Sequence, residues 1–133
     1  MTTKLNAALG FPGAVGTRQT NGLQALTIAS YTMKDGASYA IKARVLYNSV
    51  FAGVLYGGMY EIDATAAKIA AGAGILYVGN TTPTINPGWI TQGVTCQLVL
   101  TGVNSEILTL QTVGKIGVVI DHFGVIGGLE YIP

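Results

Sequence analysis

The segment ASYAIKARVLYN (residues 37–48) alternates apolar and polar side chains with a period of two, and this alternation constrains the fold more than any other feature of the chain. One face carries the apolar side chains Tyr39, Ile41, Ala43, Val45 and Tyr47. The other face carries the polar side chains Ser38, Lys42, Arg44 and Asn48. Such a pattern is typical of an antiparallel strand with one buried face and one wet face.

Further strand-like runs follow at short intervals. They are LQALTIASYTM (23–33), VLYGGMYEI (54–62), VTCQLVLT (94–101), EILTLQTV (106–113), IGVVIDHF (116–123) and VIGGLEYI (125–132). The segment ATAAKIAAGAGILYV (64–78) has alanines that suit a helix, but its glycines and the apolar Ile75–Val78 favour a strand or a turn followed by a strand. Seven or eight short strands separated by turn residues predict an all-β protein, an antiparallel β-sandwich of jelly-roll-like type, with residues 23–133 as a single domain.

Two glycine-containing sites within these runs carry local predictions. Lys34-Asp35-Gly36 is predicted to form a hairpin turn in which Gly36 takes a positive φ, and its charges would keep the hairpin soluble. Gly57-Gly58 indicates either a bulge or a close approach of another group to the backbone.

Residues 1–22 show neither the period of a strand nor that of a helix, and Phe11-Pro12-Gly13 interrupts them. We therefore expect an extended N-terminal arm that does not pair into the sandwich. Its apolar side chains Leu5, Leu9, Phe11 and Val15 are spaced through glycines, which suits an arm that becomes ordered when it docks on a partner.

Charge is scarce in this chain. Only 10% of the residues are charged and half are hydrophobic, whereas a typical soluble domain has about 25% charged residues. Because so few charges cannot cover the surface of a domain, we expect a homo-oligomer with broad interfaces. The net charge of +1 gives no electrostatic basis for binding nucleic acid or an anionic membrane.

The sequence also bears on the compartment. The N-terminus lacks the apolar core of a secretory signal, and the apolar-looking run 66–79 is too short to span a bilayer. The single cysteine, Cys96, excludes an intrachain disulfide, which fits assembly in a reducing cytoplasm. We expect a soluble protein without a membrane partner.

Few residues suggest chemistry. Asp121-His122 is the one acid–histidine pair, but neighbouring strand residues point to opposite faces, so the two should not converge. Glu61 and Asp63 could bind Ca²⁺ or form an acid pair, although solvated charges at a strand end are the simpler interpretation. Cys96 lies on the apolar face of its run and should be a buried thiol. We expect no catalytic residue, no cofactor, no metal site and no small-molecule substrate.

Aromatic residues leave two alternatives open. Tyr39, Tyr47, Tyr56 and Tyr60 could form an exposed strip that stacks on sugar rings, but their alternation with polar residues favours the core. Trp89 follows a Pro-rich loop and is either an interface anchor or a cap on the core.

The KDG turn followed by ASYAIKARVLYN resembles a β-sandwich domain of tailed-bacteriophage structural proteins. In that family a strand like LTIASYTM leads through a short Asp/Gly turn into a strand of the form aromatic–x–Ile–x–Ala–x–Val, here Tyr39 to Val45. A Gly-rich polar loop, a single Trp and a strand like CQLVLTG (96–102) come later in comparable order. The resemblance covers about residues 23–102.

This resemblance implies a function. It implies a structural protein of the virion, most simply a capsid decoration (cement) protein that trimerises, binds the major capsid protein on the capsid exterior and is assembled in the host cytoplasm. The alternative within the same family is a head-fibre or tail-fibre tip that recognises a host receptor. Either role makes Leu5, Leu9, Phe11, Val15 and Trp89 candidate contacts with capsid or a neighbouring subunit.

Overall fold

The computed structural model describes residues 4–5 and 11–133, with side chains from residue 13 onward. These residues form nine strands and no helix. The strands are β1 (Lys4–Leu5), β2 (Phe11–Thr20), β3 (Leu26–Thr32), β4 (Ser38–Phe51), β5 (Val54–Lys68), β6 (Gly74–Thr84), β7 (Thr95–Thr101), β8 (Ile107–Val113) and β9 (Ile120–Ile132). The all-β prediction is confirmed. Residues 64–78 form the end of β5, a turn and the start of β6, so the alternative of a turn followed by a strand is correct and the helix is not formed.

The described strands form two antiparallel sheets. The large sheet has the order β1-β9-β4-β5-β6, and β2 also pairs with β9 on the side away from β4. The small sheet has the order β3-β8-β7. The predicted β-sandwich is therefore confirmed as two packed layers.

The core lies between the two sheets and follows the period-two pattern. In β4 the side chains from Tyr39 to Ser49 alternate between buried and exposed without a break. The small sheet meets them with Leu98 from β7 and with Leu108 and Leu110 from β8, the last two fully buried. Each such aliphatic side chain contributes about 1.5–3 kcal/mol when it is removed from water.

The predicted hairpin at Lys34-Asp35-Gly36 is wrong, although the turn itself is present. Ala37 N donates to the Lys34 carbonyl at 3.1 Å, and Gly36 has a φ of 76°, as predicted. However, β3 belongs to the small sheet and β4 to the large one, so residues 33–37 cross between layers. The crossing is held from both sides, because Met33 N donates to the Glu106 carbonyl at 2.8 Å and Gly36 N to the Lys68 carbonyl at 2.7 Å.

The expectation that residues 1–22 stay outside the sandwich is wrong for Phe11–Thr20. This segment pairs antiparallel with β9 from Phe11 opposite Gly128 to Thr20 opposite Ile120. It shows no apolar alternation because small and polar groups occupy its inner positions: a Cβ on Gly16 would collide with the backbone of Ile28, and Thr20 is buried. Residues 1–3 and 6–10, which include Leu9, lie outside the described residues.

Gly57-Gly58 does not form a bulge. The register between β4 and β5 runs without a shift from Ser38 opposite Ala67 to Phe51 opposite Val54. Instead, the ring of Tyr47 packs directly over Gly58, where a Cβ would collide with it. The alternative of a close approach is therefore correct.

Candidate interaction surface

One face of the large sheet is not covered by the small sheet. We call the outward-pointing side chains of β2, β9, β4, β5 and β6 the outer face. Its members include large apolar side chains that are well exposed, namely Val15, Leu46, Val50, Leu55, Ile75, Tyr77, Phe123, Leu129 and Tyr131. A large exposed apolar surface on a folded protein usually marks an interaction site.

A shallow trough crosses the outer face at the end where β4 begins. Its floor consists of the small side chains Ala40 and Thr65, which are direct partners in the sheet. Tyr77 opposite Thr65 and Leu129 opposite Ala40 form its two flanks. The recess has a volume of about 530 Å³. It continues past Ala67 into a second recess flanked by Ile75 and Tyr131.

Charged residues form two rows in the middle of the outer face. Lys42 on β4 lies opposite Asp63 on β5, and Arg44 lies opposite Glu61. The Arg44 Nε–Glu61 Oε1 distance is 4.0 Å, at the limit of an ion pair, and Lys42 and Asp63 make no ion pair within 4.0 Å among the described side chains. Thus Glu61 and Asp63 lie on an exposed strand face, and β4 presents cations while β5 presents anions.

The β4–β5 hairpin projects beyond the rest of the sheet. Pairing of β4 with β9 ends at Asn48, and pairing of β5 with β6 reaches only to Met59. Ala52 and Gly53 both have positive φ, as a two-residue type I′ turn requires. The tip carries four exposed apolar side chains: Val50 and Leu55 on the side of the outer face, and Phe51 and Val54 on the opposite side.

Trp89 lies beside the base of this hairpin. Its ring packs edge-to-face on Tyr56 with centroids 6.1 Å apart, and it remains 39% exposed. Thr91 in the same loop donates a hydrogen bond to the Gly57 carbonyl at 2.8 Å. Trp89 therefore covers the edge of β5 and still presents part of its ring to solvent.

The other candidate contact residues are placed as follows. Val15 lies on β2 at the outer face and is 60% exposed. Leu5 is in β1 and Phe11 in β2, but their side chains, like the whole of Leu9, are outside the described part of the chain. Their contacts with a capsid or a neighbouring subunit stay predictions.

The Asp121-His122 pair is separated, as the strand geometry predicted. Asp121 is exposed and accepts a hydrogen bond from Gln19 Nε2 at 2.9 Å, whereas His122 is buried between the sheets. The His122 ring shares hydrogen bonds with Thr20 Oγ1 (2.9 Å, from Nε2) and with Thr112 Oγ1 (3.0 Å, from Nδ1). Burial lowers the pKa of His122 to about 4, although the charge of Asp121 acts in the opposite direction.

Cys96 belongs to the same buried cluster. Its Sγ donates to Thr112 Oγ1 at 3.6 Å. Burial raises the pKa of the thiol to about 11, against a smaller opposing effect of the Thr112 hydrogen bond. The thiol is therefore protonated and shielded, which matches the prediction of a buried cysteine. Tyr39, Tyr47 and Tyr60 are also buried, as the core interpretation predicted, and Tyr56 is half-buried.

The charges of the KDG turn do more than keep the turn soluble. Lys34 Nζ lies 3.1 Å from Oε1 of the buried Glu130, which also accepts a hydrogen bond of 2.6 Å from the Tyr31 hydroxyl. Asp35, which is exposed, pairs at 2.7 Å with Nζ of the buried Lys68. Lys68 in turn lowers the pKa of Asp35 through this hydrogen bond and its charge. Both turn charges thus compensate buried charges of opposite sign.

Two further properties concern the described residues only. No segment within them forms a helix with the length and hydropathy that a membrane span requires. No three His, Cys, Asp or Glu side chains among them cluster closely enough to hold a metal ion. The structure thus defines a two-layer antiparallel β-sandwich whose main surface feature is a largely apolar sheet face that none of the described side chains covers.

Comparison with known proteins does not assign the chain to a family. No family model and no curated protein matches the chain. Among solved structures, the chain is similar to the tailspike protein of Acinetobacter phage vB_ApiP_P1, with 13% identity and a TM-score of 0.36. The match covers 96% of this chain and 22% of the tailspike chain. A likeness at this level supports no conclusion about function.

Proposed function

We propose that the chain is a non-enzymatic structural protein of a bacteriophage particle, and that it acts as a capsid decoration (cement) protein. The observation that supports this proposal is the exposed apolar surface of the β4–β5 tip and the outer face, on a chain with only 10% charged residues. In water such a surface favours aggregation, whereas in a multisubunit shell it becomes an interface. The resemblance over residues 23–102 supplies the phage context.

A decoration protein stabilises a shell by binding neighbouring capsid subunits at once. The projecting tip suits this task, because Phe51 and Val54 stand clear of the sandwich on the side away from the outer face. Trp89 beside the base of the hairpin, together with Leu5, Leu9, Phe11 and Val15 in the N-terminal segment, would supply further contacts with the major capsid protein. The resemblance also implies a trimeric state, but the capsid contacts proposed for the tip do not depend on it.

A second candidate function is a fibre tip that recognises a host receptor. Tyr77, which is 70% exposed, and Tyr131 flank the recesses of the outer face. Exposed aromatic rings beside a recess can stack on sugar rings. In this alternative the outer face would bind a cell-surface sugar.

Copy number separates the two candidates. We expect quantitative mass spectrometry of purified particles to find hundreds of copies for each particle, and cryo-electron microscopy to locate them on the capsid exterior. A few dozen copies or fewer, located on a fibre or the tail, would favour the second candidate.

Binding to shells that lack the protein tests the proposed contact directly. F51D places a charge at the exposed tip and should weaken binding, because a carboxylate would have to be desolvated in the interface. V103D is the matched control, since Val103 is almost fully exposed in the turn between β7 and β8. Equal binding of both variants and the wild type would exclude the tip as the capsid contact.

A further inference from the structure

The outer face combines two properties that together indicate what covers it. It is largely apolar, and its central charges are sorted by strand, with Lys42 and Arg44 on β4 and Asp63 and Glu61 on β5. Within one molecule these four side chains form at most one long ion pair, because only Arg44 and Glu61 come as close as 4.0 Å. A partner for this face must therefore offer anions where β4 offers cations, and cations where β5 offers anions.

We propose that the outer face binds the outer face of a second copy of this chain, about a twofold axis that runs parallel to the strands between β4 and β5. This axis exchanges β4 and β5 across the interface and keeps each residue at its level along the strands. Lys42 of one copy then faces Asp63 of the other, and Arg44 faces Glu61, in both directions. The arrangement converts four poorly paired charges on each copy into complementary pairs.

The same axis brings apolar groups into contact elsewhere on the face. β9 of one copy lies over β6 of the other, so Leu129 and Tyr131 meet Tyr77 and Ile75. At the tip, Val50 meets Leu55 of the second copy, because these two residues are direct partners on β4 and β5.

The size of the face also fits a self-association. Under this axis the four strands β9, β4, β5 and β6 face their counterparts. Strands spaced about 4.8 Å apart, over about ten residues of 3.3 Å each, give a face of roughly 19 by 33 Å. This corresponds to about 630 Å² for each partner, near the lower end of the size range of standard specific interfaces. This twofold arrangement differs from the trimer expected from the sequence. Contacts around a threefold axis join two different surface patches, so they cannot place residue 42 over residue 63 in both directions.

A charge-exchange experiment tests the pairing. K42E places a negative charge over Asp63 of the second copy, and D63K places a positive charge over Lys42 of the second copy. We expect each variant alone to dissociate more readily than the wild type, with Kd raised about 10- to 100-fold, since surface ion pairs are individually weak. When the two variants are mixed, opposite charges face each other again, and we expect a heterodimer with Kd near that of the wild type.

This mixture isolates contacts between molecules. Within each variant chain positions 42 and 63 remain like-charged neighbours, so recovery on mixing cannot come from relief of repulsion inside one chain. Masses are measured by sedimentation equilibrium against the 13.7 kDa of a single chain, with circular dichroism to establish that each variant is folded. K115E, which makes the same change of charge in the loop between β8 and β9, is the matched control and should dimerise like the wild type.

Three results would overturn the proposal. One is a wild type that stays monomeric at 100 µM, about a hundred times the micromolar Kd at the weak end of the range for interfaces of standard size. Another is a trimer whose mass is unaffected by K42E. The third is a failure of the K42E and D63K mixture to associate while both chains are folded, because the register of the two faces would then be different.

Discussion

His122 makes the stability of the protein depend on pH in a window where few other groups titrate. Both ring nitrogens are hydrogen-bonded to threonine hydroxyls, and the side chain is 2% exposed, with the Tyr47 ring 5.7 Å away. Because burial disfavours the charged form, the pKa of His122 falls to about 4 in the folded protein. In the unfolded chain it should have the ordinary value of about 6.5.

The sign of the effect follows from proton binding. Between about pH 6.5 and pH 4 the unfolded chain binds a proton at His122 that the folded protein does not bind, so the free energy of unfolding falls as the pH falls. A difference of about 2.5 pKa units corresponds to roughly 3 kcal/mol when the titration is complete. About 2 kcal/mol of this should be lost between pH 7 and pH 5.

The groups around His122 do not obscure this window. Tyr47 on β4 and Cys96 on β7 have raised pKa values, to about 11 for the thiol, and therefore titrate far above it. Asp121, the preceding residue on β9, points to the outer face. The lowered pKa of Asp35 moves the loss of its ion pair with Lys68 below the ordinary aspartate range of about 4.

Urea unfolding at pH 7, 6 and 5, followed by tryptophan fluorescence and circular dichroism, measures the effect. H122Q should be less stable than the wild type at pH 7 by about 1–3 kcal/mol, because it disturbs a buried hydrogen-bonded group. Its stability should change much less between pH 7 and pH 5. A wild type whose stability is flat over this range, or a variant with the same slope as the wild type, would refute the assignment of the effect to His122.

Three further outcomes are expected. G58A should lower the free energy of unfolding by about 1–3 kcal/mol, because its Cβ collides with the Tyr47 ring. G57A should change it by less than about 1 kcal/mol, because its Cβ makes only ordinary contacts. Equal effects of the two variants in thermal melts would contradict this reasoning. Cys96 should react with a thiol reagent only after addition of denaturant, and rapid labelling of the native protein would show that the buried cluster opens. Deletion of residues 1–20 should lower Tm clearly, because it removes β2 from β9; an unchanged Tm would restore the prediction of a separable arm.

The fold class could be predicted from the sequence because the period-two pattern of β4 is typical of a strand with one buried face. From Tyr39 to Tyr47 every second side chain is apolar, and the structure buries each of them. The neighbouring β2 gives no such signal. Its inner positions include Gly16, which packs closely against the Ile28 backbone, and Thr20, whose hydroxyl hydrogen-bonds the buried His122. A strand whose inner face is filled by backbone contact and hydroxyl groups cannot be recognised from hydrophobic periodicity.

The apolar character of the outer face could be predicted in part from the sequence. Leu46 and Val50 interrupt the polar face of the β4 pattern. No charged residue occurs between Lys68 and Glu106, a segment that includes all of β6. Both features could have indicated an apolar outer face. The trough itself could not be predicted, because it depends on Leu129 and Tyr77 lying on either side of the floor, which only the strand order β9-β4-β5-β6 establishes. The crossing of residues 33–37 between layers likewise depends on which strands β3 and β4 select as partners.

The ion pairs of the 33–37 connection also bear on the order of folding events. Glu130 in β9 and Lys68 at the end of β5 are buried, and their charged partners Lys34 and Asp35 both come from this one connection. A chain that had packed its two sheets together but not closed the connection would lack both of these ion pairs at buried charges, a costly state. The large sheet therefore gains its full stability only when β3 is in position across the core. This coupling favours a single cooperative transition in which neither layer persists without the other.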